Sequence, residues 1–205
     1  MVLLNDFKKE CIAYQSDIIV QKHLIEGESF FFREILNQSE FDFKKDISTI
    51  LNAHLREVVI VGSGKLGFSI KPEKGTGLYM FKDFDFNYNR DNKNEKSDLD
   101  IAIISSELFD REFKNLYYHT SYYSESFLSI WKDRNALAKY VLKGRLATRF
   151  FPSDFRLSKE LKDVQSKYQK LYGRIINFEI YKSWFYFETY HEENIKNIQI
   201  NLISH

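Results

Sequence analysis

Cysteine is almost missing from this 205-residue chain, and its single copy, Cys11, excludes an intrachain disulfide and a zinc site built from cysteines. A reducing, cytoplasmic setting is the matching expectation, with Cys11 as a small core residue of an amphipathic stretch. Long apolar runs are missing too. No stretch approaches the ~18 residues of a membrane span, so no membrane partner is expected. The N-terminus lacks the basic-then-apolar order of a secretory signal. An excess of one charge is also lacking: 30 basic and 29 acidic residues leave a formal +1, which excludes a strong global field of the nucleic-acid-binding kind. The five histidines, His23, His54, His119, His191 and His205, never fall at the i, i+4 spacing of a helical zinc pair and read as surface or capping residues.

What is present suits a folded domain. Hydrophobic residues make up 43% and aromatics 17%, enough for a Phe- and Tyr-rich core without metal or disulfide staples. The expectation is a single domain over 1–205: a helical part over 1–55, a motif-bearing core over 56–110, and helices with a late strand over 111–205. Charge is uneven along it. From Lys132 to Arg174 there are 12 basic against 4 acidic residues. That surplus reads as the solvated faces of two amphipathic helices, or as a surface for phosphate groups or RNA.

Helical spacing is clearest at Phe43, Ile47, Ile50, Leu51 and Leu55, with Ser39 and Asp42 as a capping-box-like start. Val58–Val61 is a short β-branched run ended by Gly62, a buried strand by composition. Gly62 to Gly67 reads as a tight glycine turn. Pro72, Gly75, Gly77 and the Asn-rich 87–94 stretch read as loop or hairpin, with a strand inside over Leu78–Phe86. A second buried strand is expected over Asp98–Ile104, then helices from Ser106, from Phe127 to Val141, and from Asp154 to Lys170. Arg174–Tyr181 alternates, with Ile176, Phe178 and Ile180 inward and Asn177, Glu179 and Tyr181 outward, and a last helix follows Lys182. The fold class is α/β or α+β: a small mixed, mostly antiparallel sheet flanked by N- and C-terminal helices.

The chemistry is concentrated in two places. Side chains at i and i+2 of a strand share a face, so Asp98 and Asp100 point one way while Leu99, Ile101 and Ile103 enter the core. Adjacent carboxylates repel unless a cation lies between them, and Mg²⁺ or Mn²⁺ accepts one or two carboxylates plus water and substrate phosphate. Metal ions there would stabilise attacking and leaving oxygens at phosphorus. Gly62 and Gly64 let the backbone approach a phosphate, the Ser63 hydroxyl and nearby amides can bond its oxygens, and Lys65 can add positive charge. A phosphate cradle with metal-holding acids is the minimal equipment for phosphoryl-type transfer.

A strand-terminal Gly62-Ser63 followed by Asp98-Leu99-Asp100 on the next strand resembles the signature of the DNA polymerase β-like nucleotidyltransferase superfamily. The wider strings GSGKLGFSIKP and SDLDIAIISSELFD resemble those of small bacterial members, some of which occur in toxin–antitoxin and phage-defence loci. The likeness covers about residues 56–110. It implies transfer of a nucleoside monophosphate from a nucleoside triphosphate, with pyrophosphate released. The acceptor is left open among a protein, an RNA end, a small molecule and a second nucleotide, and so is the need for a partner protein. Two departures stand out. The Ser63–Asp98 spacer exceeds that of minimal members, which makes Lys71–Lys96 an insertion. The family's third carboxylate, often the base toward the acceptor, has Glu179 as its candidate here, with a plain surface or salt-bridged glutamate as the alternative.

Other readings fail in context. Gly62-Ser63-Gly64-Lys65-Leu66-Gly67 is a literal G-x-G-x-x-G, but a dinucleotide fingerprint must open a helix, and Pro72 and Gly75 arrive too soon. A Walker loop would need glycine at Val59 and Ser or Thr at Leu66. No kinase motifs and no nucleophile elbow follow. A rival pair, Asp83 and Asp85, reads as an exposed hairpin. Arg145 and Arg149 could reach phosphate or serve as helix-end cations, and Trp184 to Phe187 read as core. The competing function is a catalytically degenerate module of the same fold that binds nucleotide or a protein partner.

Overall fold

The computed structural model of the chain describes residues 4–90 and 93–204; Asp91 and Asn92, within the expected Asn-rich loop, lie outside the described residues. The N-terminal part is helical, as its spacing predicts. Helix α1 (Leu4–Ala13) is followed by α2 (Ser16–Ile19), which continues as a π-helical segment over Val20–Ile25, and a second π-helical segment spans Phe31–Leu36. Helix α3 (Glu40–Leu51) starts where expected, with the Asp42 amide donating to the Ser39 hydroxyl at 3.2 Å. His54 then caps a single 3₁₀ turn that leads into β1 (Val58–Val61). All four residues of β1 are buried, which is where β-branched side chains are most at home.

The one-turn helix α4 (Ser63–Leu66) follows β1 directly. Short strands β2 (Tyr88–Arg90) and β3 (Lys93–Asn94) pair antiparallel as a separate ribbon. Strand β4 (Leu99–Ile104) leads into α5 (Ser106–His119), whose Ser105 hydroxyl accepts the Leu108 amide at 3.2 Å. Then come α6 (Glu125–Leu128), α7 (Arg134–Leu142), β5 (Arg145–Ala147), α8 (Lys159–Tyr172), β6 (Ile176–Tyr181) and α9 (Trp184–Ser204). The class is mixed α+β, with a four-stranded mixed sheet in the order β1-β4-β6-β5 and flanking helices. Strands β5 and β6 run antiparallel, Arg145 opposite Tyr181 and Ala147 opposite Glu179. No helix among the described residues is long and apolar enough to cross a membrane.

Two compact units form, each discontinuous in sequence: Met1–Phe43 with Val59–Asp100 and Glu188–His205, and Lys44–Val58 with Ile101–Phe187. The first unit is centred on Phe7, Cys11, Leu24, Leu66, Phe68 and Ile195. Cys11 is fully buried there, and burial pushes its thiol up to about 12. The second unit buries Phe178, Ile180, Tyr181 and Phe187 completely. Their charges differ in sign. The first holds 12 basic and 18 acidic residues, net −6, and the second 18 and 11, net +7.

Several expected elements come out differently. The single helix expected over 127–141 is α6 and α7, with Trp131 between them; its buried indole donates to the Phe150 carbonyl at 3.0 Å, a tertiary anchor that overrides helix continuity. Leu78–Phe86 forms no strand. It makes only the bridging pairs Pro72–Tyr79 and Phe68–Asp83, while Phe81 and Phe84 are buried. Of the expected outward face of β6, Asn177 is half-buried, but Glu179 and Tyr181 are buried along with the apolar residues. Of the histidines, His23 and His191 are buried, and His23 contacts the Glu10 carboxylate at 2.6 Å.

Candidate functional site

The site begins with a backbone requirement. Gly62 adopts φ 66°, ψ −147°, a region open in practice to glycine alone. A Cβ there would lie 3.2 Å from Asp100 Oδ2, so the end of β1 passes directly against that carboxylate. The turn that follows is closed by Gly67 N donating to Ser63 O at 2.8 Å. Gly64 lies on the buried side of this turn, where a Cβ would come within 2.7 Å of Leu99 Cδ1. Both glycines therefore serve the close approach of α4 to the start of β4.

On β4 the two-residue period holds. Leu99 and Ile101 are fully buried, while Asp98 and Asp100 both line one cleft of about 330 Å³. Ser63 lines the same cleft. The sequence-predicted Ser63, Asp98 and Asp100 are thus brought together within the first unit. Three lysines missed by sequence reasoning join them from the 71–96 insertion, Lys71, Lys82 and Lys96, together with Asp83 of the rival pair, which the sequence reading leaves in an exposed hairpin. The ammonium of Lys71 lies 3.7 Å from Asp100 Oδ2. Asp85 does not act as the partner of Asp83. Its carboxylate accepts the Ser97 amide at 2.7 Å and its amide donates to the Ser97 hydroxyl at 2.9 Å, a reciprocal clasp that holds the insertion against the residue preceding Asp98.

Gly64, packed against Leu99, is not among the cleft-lining residues, and two further predicted residues have other surroundings. Lys65 is buried, and its ammonium donates to the carbonyls of Ile25 and Gly27, at the end of the π-helical segment. The positive charge closes that helix end and ties α4 to it, and Lys65 is not among the cleft-lining residues. Glu179 is 4% exposed and bound by two guanidiniums, Arg145 and Arg149. Burial by itself would raise its carboxyl, but the two arginines outweigh burial and hold it below the ordinary carboxylate range. Arg145 also packs over the Tyr140 ring, and Arg149 over Phe150, each 4.7 Å from the centroid. Glu179 is the salt-bridged alternative of the sequence reading, and Arg145 and Arg149 are its partners.

As a donor set, two aspartates one residue apart on one wall of a polar cleft suit Mg²⁺ or Mn²⁺, which takes one or two carboxylates and completes its shell elsewhere. A richer protein cage is absent: among the described residues no group of three or more Asp, Glu, His or Cys converges to hold a metal. With its ionisable groups charged, the cleft carries three lysines against Asp83, Glu95, Asp98 and Asp100, a net of −1. A bare cleft of that sign repels a polyphosphate, and one divalent cation reverses it. Comparison with protein-family models, curated proteins and solved structures yields no match to this chain.

Proposed function

We propose that this chain is a metal-dependent nucleotidyltransferase of the polymerase β-like type. The observation that carries the reading is the convergence of Ser63, Asp98 and Asp100 on one cleft, with the preceding Gly62 in a glycine-only conformation against the Asp100 carboxylate. In the proposed reaction an acceptor oxygen forms a bond to the α-phosphorus of a nucleoside triphosphate. The bond from that phosphorus to the bridging oxygen breaks, pyrophosphate leaves with the electron pair, and the acceptor proton passes to a base.

Asp98 and Asp100 hold Mg²⁺ or Mn²⁺, which when bound supplies charge neutralisation at the phosphate oxygens. Ser63 donates its hydroxyl to a phosphate oxygen. Lys71, Lys82 and Lys96 balance the charge of the triphosphate tail, a part first assigned to Lys65, whose ammonium is engaged with two carbonyls. Asp83, in the same cleft, takes the base role considered for Glu179. The acceptor is a protein, an RNA or a small molecule.

A second reading is favoured by one observation, the lack among the described residues of three or more Asp, Glu, His or Cys placed to hold one metal ion: a degenerate module that binds nucleotide or a partner and transfers nothing. Calorimetric titration with the four ribonucleoside triphosphates, with and without Mg²⁺, separates the two when paired with a search for pyrophosphate release. Binding that needs Mg²⁺ and disappears in Asp98→Asn/Asp100→Asn is expected. Absence of binding by every triphosphate sinks the enzyme reading, and binding without pyrophosphate release for any acceptor class supports the module.

A further inference from the structure

The second unit carries a feature that nucleotide chemistry leaves unused, an open apolar groove of about 440 Å³ between α5 and α7. Helix α5 lines it with Phe113, Leu116 and Tyr117, ending at Thr120, and α7 lines it with Leu137, Val141 and Leu142. Positions 113, 116, 117 and 120 follow the i, i+3, i+4, i+7 rule, and so do 134, 137, 138 and 141. Two apolar stripes therefore face one channel. Its non-aromatic polar groups are already engaged. Arg134 donates to the carbonyls of Leu128 and Trp131, and the Thr120 hydroxyl donates to Tyr117 O at 3.0 Å. They brace the wall and offer little to a polar ligand.

The groove is uncovered. Leu142 is 86% exposed, and Tyr117 and Tyr123 about half. Soluble proteins seldom leave such a contiguous apolar surface open without a partner. Paired helix stripes around a channel match the arrangement by which an amphipathic helix is received, with its apolar face down. Charge selects among such helices. The unit that bears the groove has a net charge of +7; Lys114 and Lys139 are exposed within the stretches that line it and Lys143 just after α7, while the exposed acids of α5, Glu107 and Asp110, precede the lining stretch. A helix with acidic flanks is attracted there, and one with basic flanks is repelled.

We propose that this groove docks an amphipathic helix of a partner protein, apolar along one face and acidic along its flanks. The proposal is independent of the nucleotide reading. It is tested with the full chain and a display library of helical 16-residue peptides, leucine fixed at i, i+3, i+4 and i+7 and the flanking positions randomised. Two variants serve as controls, Leu142→Glu and Tyr117→Glu, both at exposed positions that leave the core intact. Selection is expected to enrich Asp and Glu at the flanks. The selected peptides should bind at least about tenfold more weakly to either variant and weaken further as salt is raised. Three outcomes overturn the proposal: no enrichment; flanks without acidic bias; or peptides that bind the variants as well as wild type. Two more do so by naming another occupant. One is binding of a single-stranded oligoribonucleotide that the same variants abolish while no peptide is selected. The other is concentration-dependent self-association that Leu142→Glu removes.

Discussion

Substituting Gly62 by alanine tests the geometry on which the site rests. At φ 66°, ψ −147° the residue lies outside even the left-handed region that L side chains occasionally adopt, and the new methyl would meet Asp100 Oδ2 at 3.2 Å. Holding a non-glycine residue there costs about 2–3 kcal/mol. A control is built into the same unit. Gly27 also has a positive φ, 71°, but a Cβ there would meet nothing within 4 Å. Gly27→Ala therefore carries the conformational term alone, about 1 kcal/mol. For a chain of this size each kcal/mol moves Tm by roughly 2–4 °C, which gives a fall of roughly 4–12 °C for Gly62→Ala and about 2–4 °C for Gly27→Ala. Thermal melts followed by circular dichroism measure both. The same methyl crowds the carboxylate that would hold the metal on the proposed reading, so Mg²⁺-dependent binding of a nucleoside triphosphate should weaken at least about tenfold in Gly62→Ala and stay unchanged in Gly27→Ala. Equal Tm values for Gly62→Ala and wild type would refute the reasoning, because the turn would then not hold the glycine-only conformation.

Glu179→Gln removes the carboxylate that two guanidiniums share, and Arg145 is itself buried, so a loss of about 3 kcal/mol is expected at pH 7. Because the folded protein holds Glu179 below its ordinary range, its stabilisation is complete above the unfolded carboxyl value of about 4.3 and is lost as pH falls through the folded value. Denaturant midpoints should accordingly differ most near neutrality and converge in acid; a gap that widens below pH 4 contradicts the assignment. Gly64→Ala forces a methyl to within 2.7 Å of Leu99 Cδ1 and should cost about 1–3 kcal/mol, while Leu99→Ala leaves a cavity worth about 2–5 kcal/mol. In the double variant the new methyl occupies part of that cavity. The two effects should fall short of additivity by at least about 1 kcal/mol, and additivity within about 0.3 kcal/mol would show that the two positions do not touch.

The legible part of the site was legible for a local reason. Asp98 and Asp100 share a wall because a strand has a period of two, and Leu99 and Ile101 between and beyond them are fully buried. Gly62 announced itself by ending a β-branched run. The capping of α3 by Ser39 and the start of α5 also follow from residues adjacent in sequence. The surroundings of Lys65 are not legible in the sequence because its carbonyl partners lie some 40 residues upstream, and nothing near it in sequence shows that its ammonium faces them. Glu179 was misread for a related reason. An alternating strand implies one wet face, whereas β6 is covered on both from Phe178 onward, and its carboxylate is tolerated inside because β5 and the turn after it deliver two arginines. A signal existed: Arg145 and Arg149 flank the short apolar Leu146-Ala147 pair, and cations so close to a buried strand need an acid.

The near-zero net charge of the chain concealed its most useful electrostatic property. A total of +1 is the difference between a unit at −6, which contains the cleft, and a unit at +7, which contains the apolar groove. The two sites therefore face opposite binding problems. On the proposed reading, an anionic triphosphate entering a cleft with a net of −1 would gain little without a divalent cation, so the metal dependence proposed from the aspartate pair is also expected from charge. An acidic helix approaching the groove meets attraction from the start, and salt should slow its arrival more than it alters the apolar contacts that hold it. Raising ionic strength separates the two effects. Screening should weaken binding of the groove's partner, whereas nucleotide binding through a divalent cation that Asp98 and Asp100 would ligate should decline less, since contacts at ligand distance lie inside the screening length.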